Sequence, residues 1–542
     1  MNIKDLTILN IISDTREYKK VDALIGTERA LLLFKLICVE YKNIAFQSIA
    51  MQLGLQSKKS GKEAFEYGAD ILVRCKDTKL YELKTTAKSI YIVPLLQFSK
   101  SELPYLEDYT YESHDEEDFA IVSNKNNITG RFNMHDKPIN LLFLNKIRRI
   151  GFRLDMDVVN NFEGENMPIN HKEMIAKYLG KVIKFNWKYD TRGRSYSEGY
   201  GLNIQGNSTV RASLQFDKQE VINDIEPLYI ALASAAGHDD WTWKKRIAWA
   251  KKRVIDYEFK IPRGCKKPEK YVSTIRAILN YEEGNPSGYM MELDATASGI
   301  QIMGALAGCE ETCKHVNLIN TRKREDVYVH VASSISRIVN YDITRDYAKY
   351  PTMTHYYNSI ATPKEHFDTN DELFAFYNVL EGLLPGAEYI MKYINKQWNP
   401  RAKYHSWTLP DGHVAFVKTM TQKKAFYKYN GTTISYLYYV NEGNREDFRS
   451  LAPNIVHSID GYIARQMVLR ANFDLVHVHD CFLFHPNHYH EVKELYRTIM
   501  AEIARPEFTQ NLFRSLNGKL IDLPNYSHAL AGKIMKSEYA IA

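Results

Sequence analysis

Asp294 and Asp480 lie far apart in a 542-residue chain, yet each sits where a strand-like run meets a turn. Asp294 ends Met291-Glu292-Leu293-Asp294 and is followed by small residues, Ala295-Thr296-Ala297-Ser298-Gly299, that lead into an apolar-periodic helix starting at Ile300-Gln301. Asp480 occupies the bend of the alternating run Leu475-Val476-His477-Val478-His479-Asp480-Cys481-Phe482-Leu483-Phe484. Two carboxylates brought together at the ends of adjacent strands can clamp two magnesium ions that polarise an attacking hydroxyl and a leaving pyrophosphate. Nucleotidyl transfer is therefore the chemistry these residues suit.

Other residues fit the same chemistry. Arg345, Lys349, Met353 and Tyr357 recur at four-residue steps, which sets two cations, a thioether and a ring along one helix face, suited to a triphosphate at one end and a base or sugar at the other. Pro351 interrupts that run and should kink it, because proline lacks the backbone donor. Tyr189-Asp190-Thr191-Arg192-Gly193-Arg194-Ser195-Tyr196 reads as a turn whose glycine admits close backbone approach and whose guanidinium forks match phosphates. A surface turn with solvated arginines has the same pattern. Asn430-Gly431 between Lys423–Tyr429 and Thr432–Val440 signals a hairpin whose lysines and tyrosines suit either nucleic acid or a packed sheet. The net charge of +6 is modest, but Lys244-Lys245-Arg246, Lys251-Lys252-Arg253, Lys266-Lys267 and Arg322-Lys323-Arg324 flank Asp294. Each cluster alone reads as a solvated helix face; together they suit a channel that tracks phosphates.

The elements that must position these groups need a large core, which a chain of this length supplies in two to four domains. Hydrophobic residues make up 45% and charged residues 25%, an ordinary globular balance without an apolar run long enough for a membrane span. No membrane partner is expected. Met1-Asn2-Ile3-Lys4-Asp5 is not a secretory signal, and six cysteines without a paired framework fit a reducing cytosol. Cys309 and Cys313 read as structural, and the histidines of His485-Pro486-Asn487-His488-Tyr489-His490 as surface residues rather than zinc ligands. The acidic, Asn-rich stretch from Glu107 to Asn127 reads as loop and sets a boundary within residues 125 to 145. Before it, Thr27 to Leu53 reads as helical and Ala69 to Val93 as short strands with a turn near Lys76-Asp77-Thr78.

Taken in order, the arginine turn, the Asp294 segment, the Arg345 helix, Asp411-Gly412, Ala452-Pro453-Asn454-Ile455-Val456-His457-Ser458-Ile459-Asp460-Gly461 and Val478-His479-Asp480 resemble the single-subunit bacteriophage-type RNA polymerases from about residue 140 to the C-terminus. The resemblance implies an α+β right-hand polymerase fold with palm, fingers and a reduced thumb over residues 136–542, and a small α/β domain over residues 1–135. It implies that Asp294, the Ala295 carbonyl and Asp480 hold two Mg2+ ions, that Arg345 and Lys349 contact the incoming triphosphate, and that Tyr357, with His457 close by, senses the sugar. Tyr328 falls on a nucleotide-proximal position, and Arg192 and Arg194 on positions that touch template or hybrid backbone. Related DNA polymerases carry a bulky glutamate where this chain has Gly299 and a glutamate where it has Cys481, and both differences favour ribonucleotides. Asn358 departs from the family's glycine. The ending Ser537-Glu538-Tyr539-Ala540-Ile541-Ala542 is similar to the family's C-terminus that folds back toward the active site, so a C-terminal tag is expected to lower elongation.

The expected partners are a DNA template, the RNA product and ribonucleoside triphosphates, in the cytoplasm of a bacterial host for a phage-encoded enzyme. The compact core and the short segment from Asp411 to Ala452 lead to the expectation that initiation needs a phage accessory protein, a single-stranded DNA-binding protein or an exposed single strand. A family A-like DNA polymerase and a catalytically inactive nucleic-acid-binding relative are the alternatives.

Residues 26 to 122 carry a second resemblance, to the PD-(D/E)XK nuclease-type fold, through Gly68-Ala69-Asp70-Ile71-Leu72-Val73, Tyr81-Glu82-Leu83-Lys84-Thr85-Thr86, Phe98–Leu103 and Asp118–Val122. It implies that Asp70 and Glu82 bind magnesium while Lys84 steadies water. An ordinary strand pair and a non-catalytic nucleic-acid-binding use fit the same residues.

Overall fold

Alternation along Met291-Glu292-Leu293-Asp294 buries Met291 and Leu293 and turns Glu292 and Asp294 to the opposite face of a short strand. In the computed structural model this strand, β1 (Met291–Asp294), pairs with the second arm of a hairpin formed by β2 (Leu475–Val478) and β3 (Cys481–Phe484). The sheet is antiparallel in the order β1-β3-β2. The structure describes residue 9 and residues 12–38, 43–97, 141–162, 169–198, 202–255, 260–359, 361–443 and 447–542. Helices and small antiparallel sheets are mixed along the chain, an α+β organisation.

Around the sheet stand four helices: α1 (Ser298–Ala307), α2 (Val327–Val339), α3 (Arg345–Tyr356) and α4 (Leu451–Arg470). Nearly all of α1 and most of α4 are buried in one apolar core with β1 to β3. Pro351 does not break α3. The carbonyl of Tyr347, which would receive the missing N–H, is bonded instead by His366 Nε2 at 2.7 Å. Asn358, just past this helix, stands at φ +61, the left-handed region that glycine adopts freely and asparagine tolerates, and its amide bonds Asn395 Oδ1 at 2.8 Å.

The chain divides into two compact units. One unit holds Met1–Tyr111 together with Pro400–Lys403 and Lys418–Arg445; the other holds Glu112–Asn399, Tyr404–Val417 and Glu446–Ala542. The ribbon Thr421–Tyr429 and Thr432–Val440, turned by Asn430 and Gly431 at φ +45 and +79 as anticipated, belongs to the first unit. The reason is its alternation. Ile434 and Tyr436 are buried in that unit's core, with Tyr436 stacked on Phe65 at 3.6 Å and Tyr427 on Phe46 at 5.6 Å. The acidic stretch from Glu107 to Asn127, most of the boundary zone, Phe98–Leu103 and Asp118–Val122 lie outside the described residues.

Thr27–Ile37 and Phe46–Gln56 are helical as expected. Ala69 to Arg74 is a correction: it is the end of the helix Gly61–Arg74, not a strand. Ala64, Phe65, Gly68, Ala69, Ile71 and Leu72 are its buried residues, a helical spacing, and Gly54 and Gly68 let two helices touch. A Cβ at Gly68 would stand 1.9 Å from the Ala50 carbonyl oxygen. Only Tyr81–Thr85 and Ile90–Pro94 are strands in that region, joined with Ile44–Ala45 in an antiparallel sheet.

Candidate active site

The β2–β3 hairpin closes through His479 and Asp480, with His479 in the left-handed region at φ +58. In the β1–β3 register Asp294 lies opposite Cys481, so Asp480 is the next residue along, and Ala295 N–H donates to the Asp480 carbonyl at 3.2 Å. The two carboxylates predicted to act together are thus neighbours. Asp294 is open to solvent, yet it stands in a recess walled by protein. That setting, with the charge of Asp480 beside it, pushes its pKa up to about 7. The Ala295 backbone joins the same corner by pairing with Ile541.

The recess is a cavity of ≈ 220 Å³ whose lining includes Asp294, Ala295, Lys267, Tyr328, Arg345 and Ala542. Lys349, Tyr357 and Asp480 are not in that lining. Arg345 opens α3, and Asp326 Oδ2 accepts from its Nε at 2.7 Å. Arg345 and Lys349 lie over the Tyr328 ring at 5.6 and 5.7 Å, so the structure brings these three predicted residues together. Gly299 stands in the first turn of α1, where a Cβ would meet only Val456 Cγ1 at 3.8 Å.

A second cluster forms around α4. The arginine turn joins strands Asn186–Tyr189 and Ser195–Glu198 and rests on α4 through two glycines, since a Cβ at Gly461 would stand 2.5 Å from the Gly193 carbonyl. Arg194 pairs with Asp460 at 2.7 Å. Arg192 pairs with Asp190, with Nε to Oδ2 at 2.8 Å, and donates from Nη1 to His457 Nδ1 at 3.0 Å. Both guanidinium groups are therefore committed to protein partners, unlike the solvated turn that the sequence also allowed. Burial, reinforced by Arg194 and Arg192, lowers the His457 pKa to about 3, which keeps the ring neutral with Nδ1 as acceptor. The Tyr357 ring lies 5.1 Å from that of His457.

Sequence reasoning missed Glu292. It faces the same side of β1 as Asp294 and meets Lys270 and Arg211 at 3.1 Å and Lys267 at 3.4 Å. Burial pushes its pKa up, but Lys270, Arg211 and Lys267 together hold it at about 2. A lone acid within an apolar strand was the available signal, because such a charge demands partners. Arg246 was misjudged in the other direction: it is buried, not a solvated helix face, and donates from Nε to the Trp241 carbonyl at 3.0 Å. His485 is likewise buried rather than on the surface.

Two of the four nuclease-type segments lie within the described residues. Asp70 is on a helix and pairs with Arg74 at 2.5 Å, and exposed Glu82 and Lys84 lie 3.9 Å apart on one strand. Among the described residues no group of three or more His, Cys, Asp or Glu is placed to hold a metal. Asp294 and Asp480 offer two hard oxygen donors whose mutual repulsion a divalent cation would relieve, so the pair fits magnesium. No described helix is long and apolar enough to cross a membrane.

Residues 223–361, which contain Asp294, Arg345, Lys349 and Tyr357, match the family described as DNA-dependent RNA polymerase. A DNA-directed RNA polymerase of Pseudomonas phage phiKMV is 29% identical over 196 residues, 32% of this chain and 23% of that protein. A probable DNA-directed RNA polymerase of Neurospora crassa is 24% identical over 396 residues, 58% of this chain and 43% of its own length. The mitochondrial DNA-directed RNA polymerase 1 of Arabidopsis thaliana is 21% identical over 454 residues, 70% and 46% of the two chains. The chain thus spans less than half the length of these curated relatives. With the order of motifs and the site geometry, these matches support the resemblance of the chain to the single-subunit, phage-type DNA-dependent RNA polymerases.

Proposed function

We propose that this protein is a DNA-directed RNA polymerase that adds ribonucleotides to an RNA 3′ end on a DNA template. The observation that carries the reading is the pairing of β1 with β3, which sets Asp294 beside Asp480 at the edge of a cavity that Arg345 also lines. In this reading β1 to β3 are the palm, and α2 and α3 belong to the fingers.

Asp294, the Ala295 carbonyl and Asp480 would hold two magnesium ions, which when bound supply Lewis-acid stabilisation to the attacking and leaving oxygens. The chain's own residues do the rest. Arg345, steadied by Asp326, and Lys349 bind the triphosphate and draw it along the Tyr328 ring. Tyr357 and neutral His457 face the sugar, and the absence of a side chain at Gly299 leaves room for the 2′-hydroxyl. Arg192 and Arg194 support this wall from behind through His457 and Asp460, and their remaining edges face the hybrid backbone.

Initiation from an exposed single strand, or with an accessory protein, belongs to the same proposal. One face of the ribbon Thr421–Val440 is taken up by its own unit's core, which leaves half of its side chains for DNA. The phage relative favours action in a bacterial host's cytoplasm. Extension of an RNA primer on a DNA template with magnesium tests the activity: ribonucleotides should be preferred over deoxynucleotides. Preference for deoxynucleotides would instead favour a DNA polymerase. Run-off transcription from a linear duplex by the purified chain alone would remove the initiation requirement.

A further inference from the structure

We infer that Asn317 is a positioning residue that ties the C-terminal tail, the turn after Asp294 and Arg345 into one geometry; this rests on the polymerase reading above. Asn317 is buried at φ +60 on the cavity wall. Its amide grips the Glu325 peptide from both sides: Glu325 N–H donates to Oδ1 at 2.7 Å, and Nδ2 donates to the Glu325 carbonyl at 2.9 Å. That grip fixes the next residue. Asp326 uses Oδ1 to cap α2, accepting from Tyr328 N at 2.9 Å and Val329 N at 3.3 Å, and uses Oδ2 to hold Arg345. A shift of the Glu325 peptide therefore moves the cation that meets the triphosphate.

On its other side Asn317 reaches the metal-binding corner. Nδ2 donates to Thr296 Oγ1 at 3.3 Å, and Thr296 Oγ1 donates to the Tyr539 carbonyl at 3.0 Å. The Asn317 carbonyl accepts from Ser537 Oγ at 2.5 Å. Gln301, held by Tyr496 at 2.7 Å, donates to the Ala540 carbonyl at 2.9 Å. Ala542 N–H then donates to the Asp294 carbonyl at 2.9 Å. Trp243 pins the tail from outside, stacking on Tyr539 at 5.1 Å and donating from Nε1 to the Glu538 carbonyl at 3.3 Å. The tail is thus tied to the end of β1, where Ile541 makes an isolated antiparallel bridge with Ala295, and Asn317 links its seat to the base of α3.

Because glycine adopts φ +60 freely, Asn317→Gly removes the amide and keeps the backbone. Thr296→Val, close to isosteric, removes the hydroxyl instead. Two readouts apply to the full chain: steady-state ribonucleotide incorporation on a primed DNA template, and the rate at which a carboxypeptidase trims the last residues. Each variant should raise KM for the incoming ribonucleotide roughly tenfold while kcat changes less than about threefold, and should speed trimming. Removing Ala540–Ala542 should add less to KM in the Asn317→Gly background than in the wild type, as expected for groups acting as a unit. Unchanged KM and trimming in both variants, or effects of Asn317→Gly and truncation that simply multiply, would overturn the inference. If the wild type incorporates no nucleotide, the polymerase reading falls, and the trimming rates alone decide whether Asn317 holds the tail.

Discussion

Glu292, two residues before Asp294 on the same strand face, carries three cations and so stabilises the corner that holds Asp294. Removing its charge leaves buried Lys270 and partly buried Arg211 without compensation, so Glu292→Gln should lower stability by about 3 kcal/mol, read by denaturant unfolding. Two buried histidines make one contribution to the pH dependence. Burial depresses the folded-state pKa of both His457 and His477 to about 3, whereas the unfolded chain protonates near 6.5. Their contribution is therefore present above about pH 6.5 and is lost as pH falls toward about 3, opposite in sign to that of Asp294, whose raised pKa favours the folded state as it protonates, so the test is differential: the thermal midpoint of the wild type should fall relative to that of His477→Gln across that window. A side-chain change at Gly299 tests sugar choice: Gly299→Glu should cut ribonucleotide incorporation far more than deoxynucleotide incorporation, measured on one primed template. Type and spacing single out the aspartates, Arg345, Lys349 and Tyr357, and the structure brings the aspartates together and Arg345 with Lys349, whereas Glu292 and Asn317 act through partners distant in sequence, for which spacing holds no signal.

Among the elements, hairpin and helix signals were legible where the local chemistry is strong. Asn430-Gly431 turned the ribbon as its sequence demands, and Thr344 caps α3 by accepting from Tyr347 N at 3.2 Å. Helix α3 runs on through Pro351, and the sequence cannot show that His366 takes over the orphaned Tyr347 carbonyl. Asn358 answers the departure from glycine: Asn358→Gly should be tolerated, whereas Asn358→Ala, strained at positive φ and without its amide bonds, should lose about 2 kcal/mol of stability. Helix Gly61–Arg74 was misread as strand because Ile71-Leu72-Val73 is a short apolar run that fits either period. Gly68→Ala should destabilise the first unit by about 3 kcal/mol or more, because the Ala50 backbone cannot yield as a side chain would.

For the whole molecule, the sequence showed an α+β chain with a separate N-terminal region but not that residues 418 to 445, far along the chain, fold with it. Such an excursion follows from which faces are apolar in three dimensions, and the alternating tyrosines of the ribbon are equally good as an exposed or a packed face until a partner surface exists. Of the four short nuclease-type motifs, the two within the described residues fall on a helix and a strand, a difference that short motifs do not encode. The family match over residues 223–361 stops short of Asp480, so the second aspartate rests on geometry. The most direct test is RNA-primer extension on a DNA template with magnesium by the wild type and by Asp480→Ala, alongside circular dichroism. The account predicts ribonucleotide incorporation by the wild type and none by a variant that remains folded; incorporation retained by folded Asp480→Ala would contradict it.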